Sequence, residues 1–270
     1  MSLFSLVEIN IYPVKSLGGI SLQNSEVTDR GLKHDRRWLI INDEEKFITQ
    51  RTHPQLALIK TKINGNKLIL GHKTKEITPL VIPIHHESAE TVIVSIWQDL
   101  VEARIVGKYA DEWLSDTLGV KCRLVYMHDE TQRWVDRAYA ADNEIVSFAD
   151  AYPFMMIGQS SLDDLNNRLE EKLPMNRFRP NFVFKGGDPF DEDKWKKIKI
   201  GNVVFSLVKP CSRCVTTTVN QDTTEKNEEP LKTLSTYRSV NNKIYFGQNL
   251  LHEENGMVKV GDEIEILEFK

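Results

Sequence analysis

Only three cysteines, Cys122, Cys211 and Cys214, occur in 270 residues. That is too few for a disulfide framework in a chain of this length, and free thiols at this density suit a reducing compartment. No stretch approaches the ~18 consecutive apolar residues that a membrane span requires. The opening residues 1–8 lack a basic flank, with Glu8 and Asn10 interrupting the apolar run, so they read as a first strand and not as a signal peptide. Neither sign of charge dominates: 35 Lys and Arg against 39 Asp and Glu leave a net −4. The absent basic excess excludes wholesale binding of nucleic acid or anionic membrane, so any cation used in function acts locally. Internal repeats and low-complexity tracts are missing too. The remaining reading is a soluble, cytoplasmic, globular protein, and 40% hydrophobic residues suffice for a real core.

What is present is mostly strand. Short β-branched or alternating runs at residues 3–11, 22–27, 38–41, 56–63, 67–70, 80–84, 91–96 and 100–106 are punctuated by Gly, Pro, Asn and Asp. Asn64-Gly65 is the sharpest hairpin signal, and eight close-spaced strands suggest a barrel or a strongly curled sheet. Residues 108–118 predict a helix stopped by Gly119, a strand follows at 123–127, and polar residues 128–143 predict a long loop. A second helix begins near Ser160, with Leu162, Leu165, Leu169 and Leu173 on one face until Pro174. Strands resume at 178–184, 197–200, 203–208 and 215–219. Pro230 opens a third, short helix, and strands at 257–260 and 263–267 close the chain. The fold class is mainly β (α+β) with a few flanking helices, in two joined β domains, 1–120 and 121–270.

Chemistry concentrates at Cys211-Ser212-Arg213-Cys214. As half a zinc site this pair needs two more ligands, yet the sequence offers no second C-x-x-C and no H-x₃₋₅-H. As a redox pair it should open a helix, whereas a Thr- and Val-rich segment that reads as a strand follows. A third reading uses one soft thiolate to ligate a metal carried by a cofactor. Two buried structural thiols are the remaining alternative. Elsewhere, the Lys15-Ser16 turn after Tyr12-Pro13-Val14 combines a cation, a hydroxyl and flexible backbone that can hold a phosphate, or forms a solvated surface turn. His34-Asp35-Arg36-Arg37-Trp38 enters a strand with two arginines. In Arg177-Phe178-Arg179-Pro180-Asn181-Phe182-Val183-Phe184, period-two alternation predicts Arg177, Arg179 and Asn181 on one face, opposite the phenylalanines. That face could present guanidinium donors to an anion, or simply face water.

Taken in order, Tyr12-Pro13-Val14-Lys15-Ser16, Asp35-Arg36-Arg37-Trp38, Phe178-Arg179-Pro180-Asn181 and Cys211-Ser212-Arg213-Cys214 resemble the MOSC proteins. The subgroup most similar joins a MOSC N-terminal β-barrel domain to the MOSC domain, as in the mitochondrial amidoxime reducing component and its bacterial relatives. The resemblance extends to Pro230-Leu231-Lys232-Thr233-Leu234 and Phe246-Gly247-Gln248-Asn249. It implies a molybdenum cofactor, a molybdopterin carrying Mo, with Cys214 as the one protein thiolate on the metal. It also implies that Lys15, Ser16, Arg36, Tyr152, Arg177, Arg179 and Asn181 hold the cofactor. Asp150, in a family-like Asp150-Ala151-Tyr152-Pro153 stretch, becomes a proton-relay candidate. The implied reaction is two-electron reduction of small N-hydroxylated substrates such as amidoximes, hydroxylamines and N-hydroxy bases. The alternative is a cofactor or sulfur carrier using Cys214 as persulfide or anchor. No cysteine set for a ferredoxin domain, no membrane anchor and no room for the pyridoxal-phosphate domain of the sulfurases are found. Electrons are therefore expected from a separate protein: a ferredoxin, a cytochrome b5-like protein or a flavoprotein reductase.

Overall fold

The computed structural model describes residues 4–85, 88–140 and 144–270. The start of the strand predicted from Leu3 and the last three residues of the loop predicted at 128–143 lie outside the described residues. Strands dominate, as the alternation predicted. The largest sheet runs, in spatial order, Ile264–Phe269, Trp195–Ile200, Val203–Ser212, Lys243–His252, Phe154–Gly158, Phe182–Lys185, Ser5–Ile11 and Ile20–Leu22. A four-stranded sheet orders Trp38–Ile41, Arg123–Tyr126, Asp99–Ile105 and Thr91–Ile96. Ile59–Asn64, Lys67–His72 and Leu80–Pro83 form a meander. Its first hairpin turns at Gly65 with φ +56, where a side chain would be strained.

The first strand does not stay with the strands that follow it. Ser5–Ile11 pairs antiparallel with Phe182–Lys185, putting Ile9 opposite Phe182. In the other direction, Arg123–Tyr126 pairs with Trp38–Ile41 and with Asp99–Ile105. These exchanges set the segments after Ile11 and before Trp38 against the start of Phe182–Lys185. Each side has its own core. Trp38, Leu56, Leu68, Leu70, Leu114 and Leu124 cluster on one, and Phe154, Phe182, Phe184, Trp195 and Phe205 on the other. The helix predicted at 108–118 forms as Lys108–Leu118, with Gly119 in the left-handed region as its stop. No helix among the described residues is long and apolar enough to cross a membrane.

Four predicted elements differ. The strand predicted at 56–63 starts only at Ile59, after a 3₁₀ turn at Pro54–Leu58. The second helix is only Gln159–Asn166, because Asn166 turns to bond both the N–H and the C=O of Leu173. The strand predicted at 178–184 is Phe182–Lys185; Met175–Arg177 is a 3₁₀ turn and Arg179 has φ +56. The alternation therefore does not place Arg177, Arg179 and Asn181 on one strand face. The strand predicted at 215–219 is a 3₁₀ turn, Val215–Thr218, closed by Thr217 bonds to the Cys214 carbonyl. Cys211, not Cys214, lies on a strand, near the end of Val203–Ser212.

Candidate functional site

Cys214, Asp150, Lys15, Ser16, Arg36, Tyr152, Arg177, Arg179 and Asn181 all line one cleft. Six chain segments converge there: the turn after Ser5–Ile11, the residues before Trp38, those around Thr49 and Arg51, those before Phe154–Gly158, those before Phe182–Lys185, and those around Cys214. Met155 and its cross-strand neighbour Asn249 contribute sheet residues to the lining. Six basic side chains, Lys15, Arg36, Arg51, Arg177, Arg179 and Arg213, face a single carboxylate, Asp150, among the described lining residues. In a chain of net charge −4 this is a concentrated cationic field.

The arginines divide by what their donors do. Arg36 is engaged through both terminal nitrogens: Nη1 donates to Asp35 Oδ2 at 2.6 Å and to Asn181 Oδ1 at 3.1 Å, and Nη2 donates to the Arg179 carbonyl at 3.2 Å. Asp35, 1% exposed, also accepts the Tyr12 N–H at 2.7 Å. Asn181 is equally engaged, donating to the Asn10 carbonyl and accepting from Met155 N–H. Arg177 is buried and donates through Nε to the Thr217 carbonyl at 2.8 Å, which braces the turn after Cys214; burial lowers its pKa.

Arg179 is different. Its guanidinium lies 4.1 Å from the Tyr12 ring centroid, with that of Arg36 at 4.3 Å. Burial is the main reason its pKa falls to about 10, with Tyr12 opposing and Arg36 reinforcing. The Nε atoms of Arg51 and Arg213 are buried with no hydrogen-bond partner among the described residues. Buried, unsatisfied donors of this kind need an acceptor. Ser16, Arg36 and Arg179 all have positive φ, +69, +48 and +56. Non-glycine residues in this region cost energy and cluster at functional sites.

Lys15 is buried. Its Nζ donates to the Phe148 carbonyl at 2.8 Å and to Asp150 Oδ1 at 2.5 Å. Burial lowers its pKa to about 8 despite Asp150, and Arg133 and Arg36 add to the effect. Desolvation pushes Asp150 up, but Lys15, Arg51 and Arg36 together hold its carboxyl well below the usual range. Its side chain is 66% exposed, so solvent screens that coupling and no energy is assigned to the pair. Tyr152 is buried, edge-on to Tyr139 at 6.1 Å, and burial raises its phenol.

Cys214 is exposed, its Sγ 3.4 Å from Thr216 Oγ1. Cys211 lines the same cleft, and its Sγ accepts Arg213 Nη1 at 3.0 Å. A reciprocal amide pair ties the two walls. Gln50 Nε2 donates to the Ser16 carbonyl and to Gln221 Oε1, and Gln221 Nε2 donates to Gln50 Oε1 and the Val219 carbonyl. No group of three His, Cys, Asp or Glu side chains among the described residues is placed to hold a metal ion. The lining instead suits a metal arriving with most of its own ligands, on an anionic carrier: one accessible soft thiol, six cations and unsatisfied guanidinium N–H groups. Sequence reasoning missed Arg51, Arg213 and Asn249 as lining residues. Arg213 lies inside the cysteine motif, whereas Arg51 follows no recognisable pattern.

Two family models match the chain: the MOSC N-terminal beta barrel domain over residues 3–121, and the MOSC domain over residues 143–265. Mitochondrial amidoxime-reducing component 1 of Homo sapiens is 35% identical over 97% of this chain and 83% of its own length. The Mus musculus protein of the same name is 34% identical over 97% and 82%. Molybdenum cofactor sulfurase of Arabidopsis thaliana is 32% identical over 96% of this chain, which spans 35% of that protein.

Proposed function

This chain belongs to the MOSC family, and from that membership and the cleft's chemistry we propose that it is a molybdenum-cofactor-dependent reductase of small N-hydroxylated substrates. The observation that carries this reading is the accessible Cys214 thiol in a cleft of six cations. Cys214 would hold the metal through Sγ. Arg179, the Arg213 Nε–H and the Ser16 hydroxyl would meet the anionic part of the cofactor, on a frame kept in place by Arg36, Arg177 and Asn181. When bound, the cofactor supplies the two-electron reduction at molybdenum.

The chain's own part is positioning and proton control. Reducing R–NHOH consumes two electrons and two protons; the N–O bond breaks and the oxygen leaves as water. Lys15 Nζ, its pKa near 8, carries a proton close to neutrality, and ionised Asp150 accepts from it. The pair can deliver one proton through Asp150 Oδ1 to the departing hydroxyl, and solvent water, which reaches the exposed Asp150 side chain, supplies the second. Arg177, bonded to Thr217, holds the turn that aims Cys214 into the cleft. Electrons come from a separate donor protein, and we place the protein in a reducing, cytoplasmic compartment, which cell fractionation would test.

Protein from a host that makes molybdenum cofactor is expected to hold close to one Mo per chain and to reduce benzamidoxime with reduced viologen. Cys214→Ser replaces a soft thiolate by a hydroxyl protonated near neutrality, and turnover should collapse. Metal content near zero in the parent, unrepaired by reconstitution, would overturn the reading. The exposure of Cys214 also supports a second role, carrying cofactor or sulfur as a persulfide. Bound molybdenum without turnover on any N-hydroxylated substrate would favour that role.

A further inference from the structure

Trp97 occupies an unusual place. It starts the tight turn between Thr91–Ile96 and Asp99–Ile105, where Ile96 pairs with Asp99, and it does so at φ +57. Hairpin turns at such angles favour glycine or asparagine. Trp97 is also 44% exposed, so burial does not explain it. Its indole does two things instead. One is an edge contact to Phe47, at 5.1 Å between centroids. The other is to support the Arg51 guanidinium, 4.3 Å from the ring.

Arg51 is held at the backbone, its carbonyl accepting Lys226 Nζ at 2.6 Å and its N–H reaching Thr49 Oγ1 at 3.3 Å. Its side chain donates no hydrogen bond to any described residue, and its Nε is buried. The only acid in the described cleft lining, Asp150, already accepts from Lys15. A planar fork is thus fixed on an aromatic platform at a cationic cleft with its donors unengaged. Phe47 extends the platform toward Lys15, whose Nζ lies 5.5 Å from its ring.

The geometry points to Arg51, oriented by Trp97, as an anion-gripping arm of the cleft that takes a phosphate or carboxylate group in a two-pronged hydrogen bond. A guanidinium matches both oxyanions, and stacking removes the rotamer freedom it would otherwise lose on binding. This inference deepens the reductase reading and rests on it for the identity of the ligand. The anion is either the cofactor's phosphate or an acidic substituent of the substrate.

Three measurements on the full chain separate the possibilities, using Arg51→Gln, Trp97→Leu and Trp97→Phe. Inorganic phosphate is titrated calorimetrically into each protein made in a host without molybdenum cofactor. Arg51→Gln should weaken binding about tenfold or more. Trp97→Leu should weaken it in the same direction, and Trp97→Phe, which keeps a ring under the fork, should restore it. The holoproteins are then compared for Mo retained on dilution, and for the ratio of kcat/KM on 4-carboxybenzamidoxime to that on benzamidoxime. A tenfold drop in Mo retention with an unmoved ratio assigns the arm to the cofactor. A tenfold drop in the ratio with Mo retained assigns it to the substrate. Phosphate affinity equal in Arg51→Gln and the parent, both folded by circular dichroism, overturns the proposal. If the parent shows no turnover yet binds phosphate through Arg51, the arm stands and the reductase reading falls.

Discussion

Arg36 and Arg179 lie against the same tyrosine ring, yet they do opposite work. Both terminal nitrogens of Arg36 end on protein: Asp35, Asn181 and the Arg179 carbonyl. Arg179 contributes its carbonyl to that frame and leaves its guanidinium to the cleft. The same contrast separates Arg177, bonded to the Thr217 and Glu229 carbonyls, from Arg51 on Trp97. A cationic cleft is thus two populations, a frame that resembles buried structure and a set of donors awaiting an anion. Lining residues of one charge are not equivalent.

The contrast is broken most forcefully at Arg36. Arg36→Met leaves Asp35, 1% exposed, with the Tyr12 N–H as the one remaining partner of its side chain among the described residues. Removing one member of a buried pair costs about 3–5 kcal/mol, so urea unfolding should show a loss of that order. A loss below about 1 kcal/mol would mean that Arg36 is not part of the frame. Arg179→Ala should do the reverse, leaving stability within about 1 kcal/mol because its guanidinium makes no hydrogen bond to the described residues. Cofactor retention should fall about ten- to a hundredfold, the worth of one charge-assisted contact at about 1.5–3 kcal/mol. Unfolding without loss of cofactor affinity would erase the distinction.

Lys15 belongs to neither population, since its donors are engaged but it titrates near neutrality. Activity limited by its proton should decline several-fold as pH rises through about 8, and Lys15→Met should lack that limb. Folding has the opposite slope. Burial makes folded Lys15 release its proton at about 8, below the ordinary 10.5, so between those values the unfolded chain binds more protons and stability rises with pH. A parent and a Lys15→Met variant with parallel stability profiles across pH 8–10.5 would exclude this. The smallest effect is expected at Cys211, whose sulfur accepts from Arg213. Serine accepts equally well, so Cys211→Ser should cost about 1 kcal/mol or less and keep its molybdenum, measured beside Cys214→Ser. Equal metal loss in both would remove the asymmetry between the thiols.

The mainly-β character and the Lys108–Leu118 helix were legible because periodicity and a glycine stop are local signals. The nine residues that the family resemblance nominated line one cleft, but strand alternation is not what brings three of them there. Arg177, Arg179 and Asn181 converge without a strand: a 3₁₀ turn and a left-handed Arg179 deliver them. Nothing in an Arg-Pro-Asn string announces positive φ, since surrounding contacts, not local preference, hold Arg179 there. The same limit applied at Cys214, where Thr217 bonds closed a turn in a segment with strand-like composition.

By itself, the sequence determined the chemical inventory: three thiols, a balanced charge, a β-rich chain and the motif order that marks the family. Only the tertiary structure decided which cations are frame and which are open. That distinction depends on partners far away in the chain, such as Asn181, 145 positions from Arg36, and on Trp97, 46 positions from Arg51. Hydrogen bonds and ring contacts form between groups that folding brings together, and a residue's spare donors are what remains once those contacts are made.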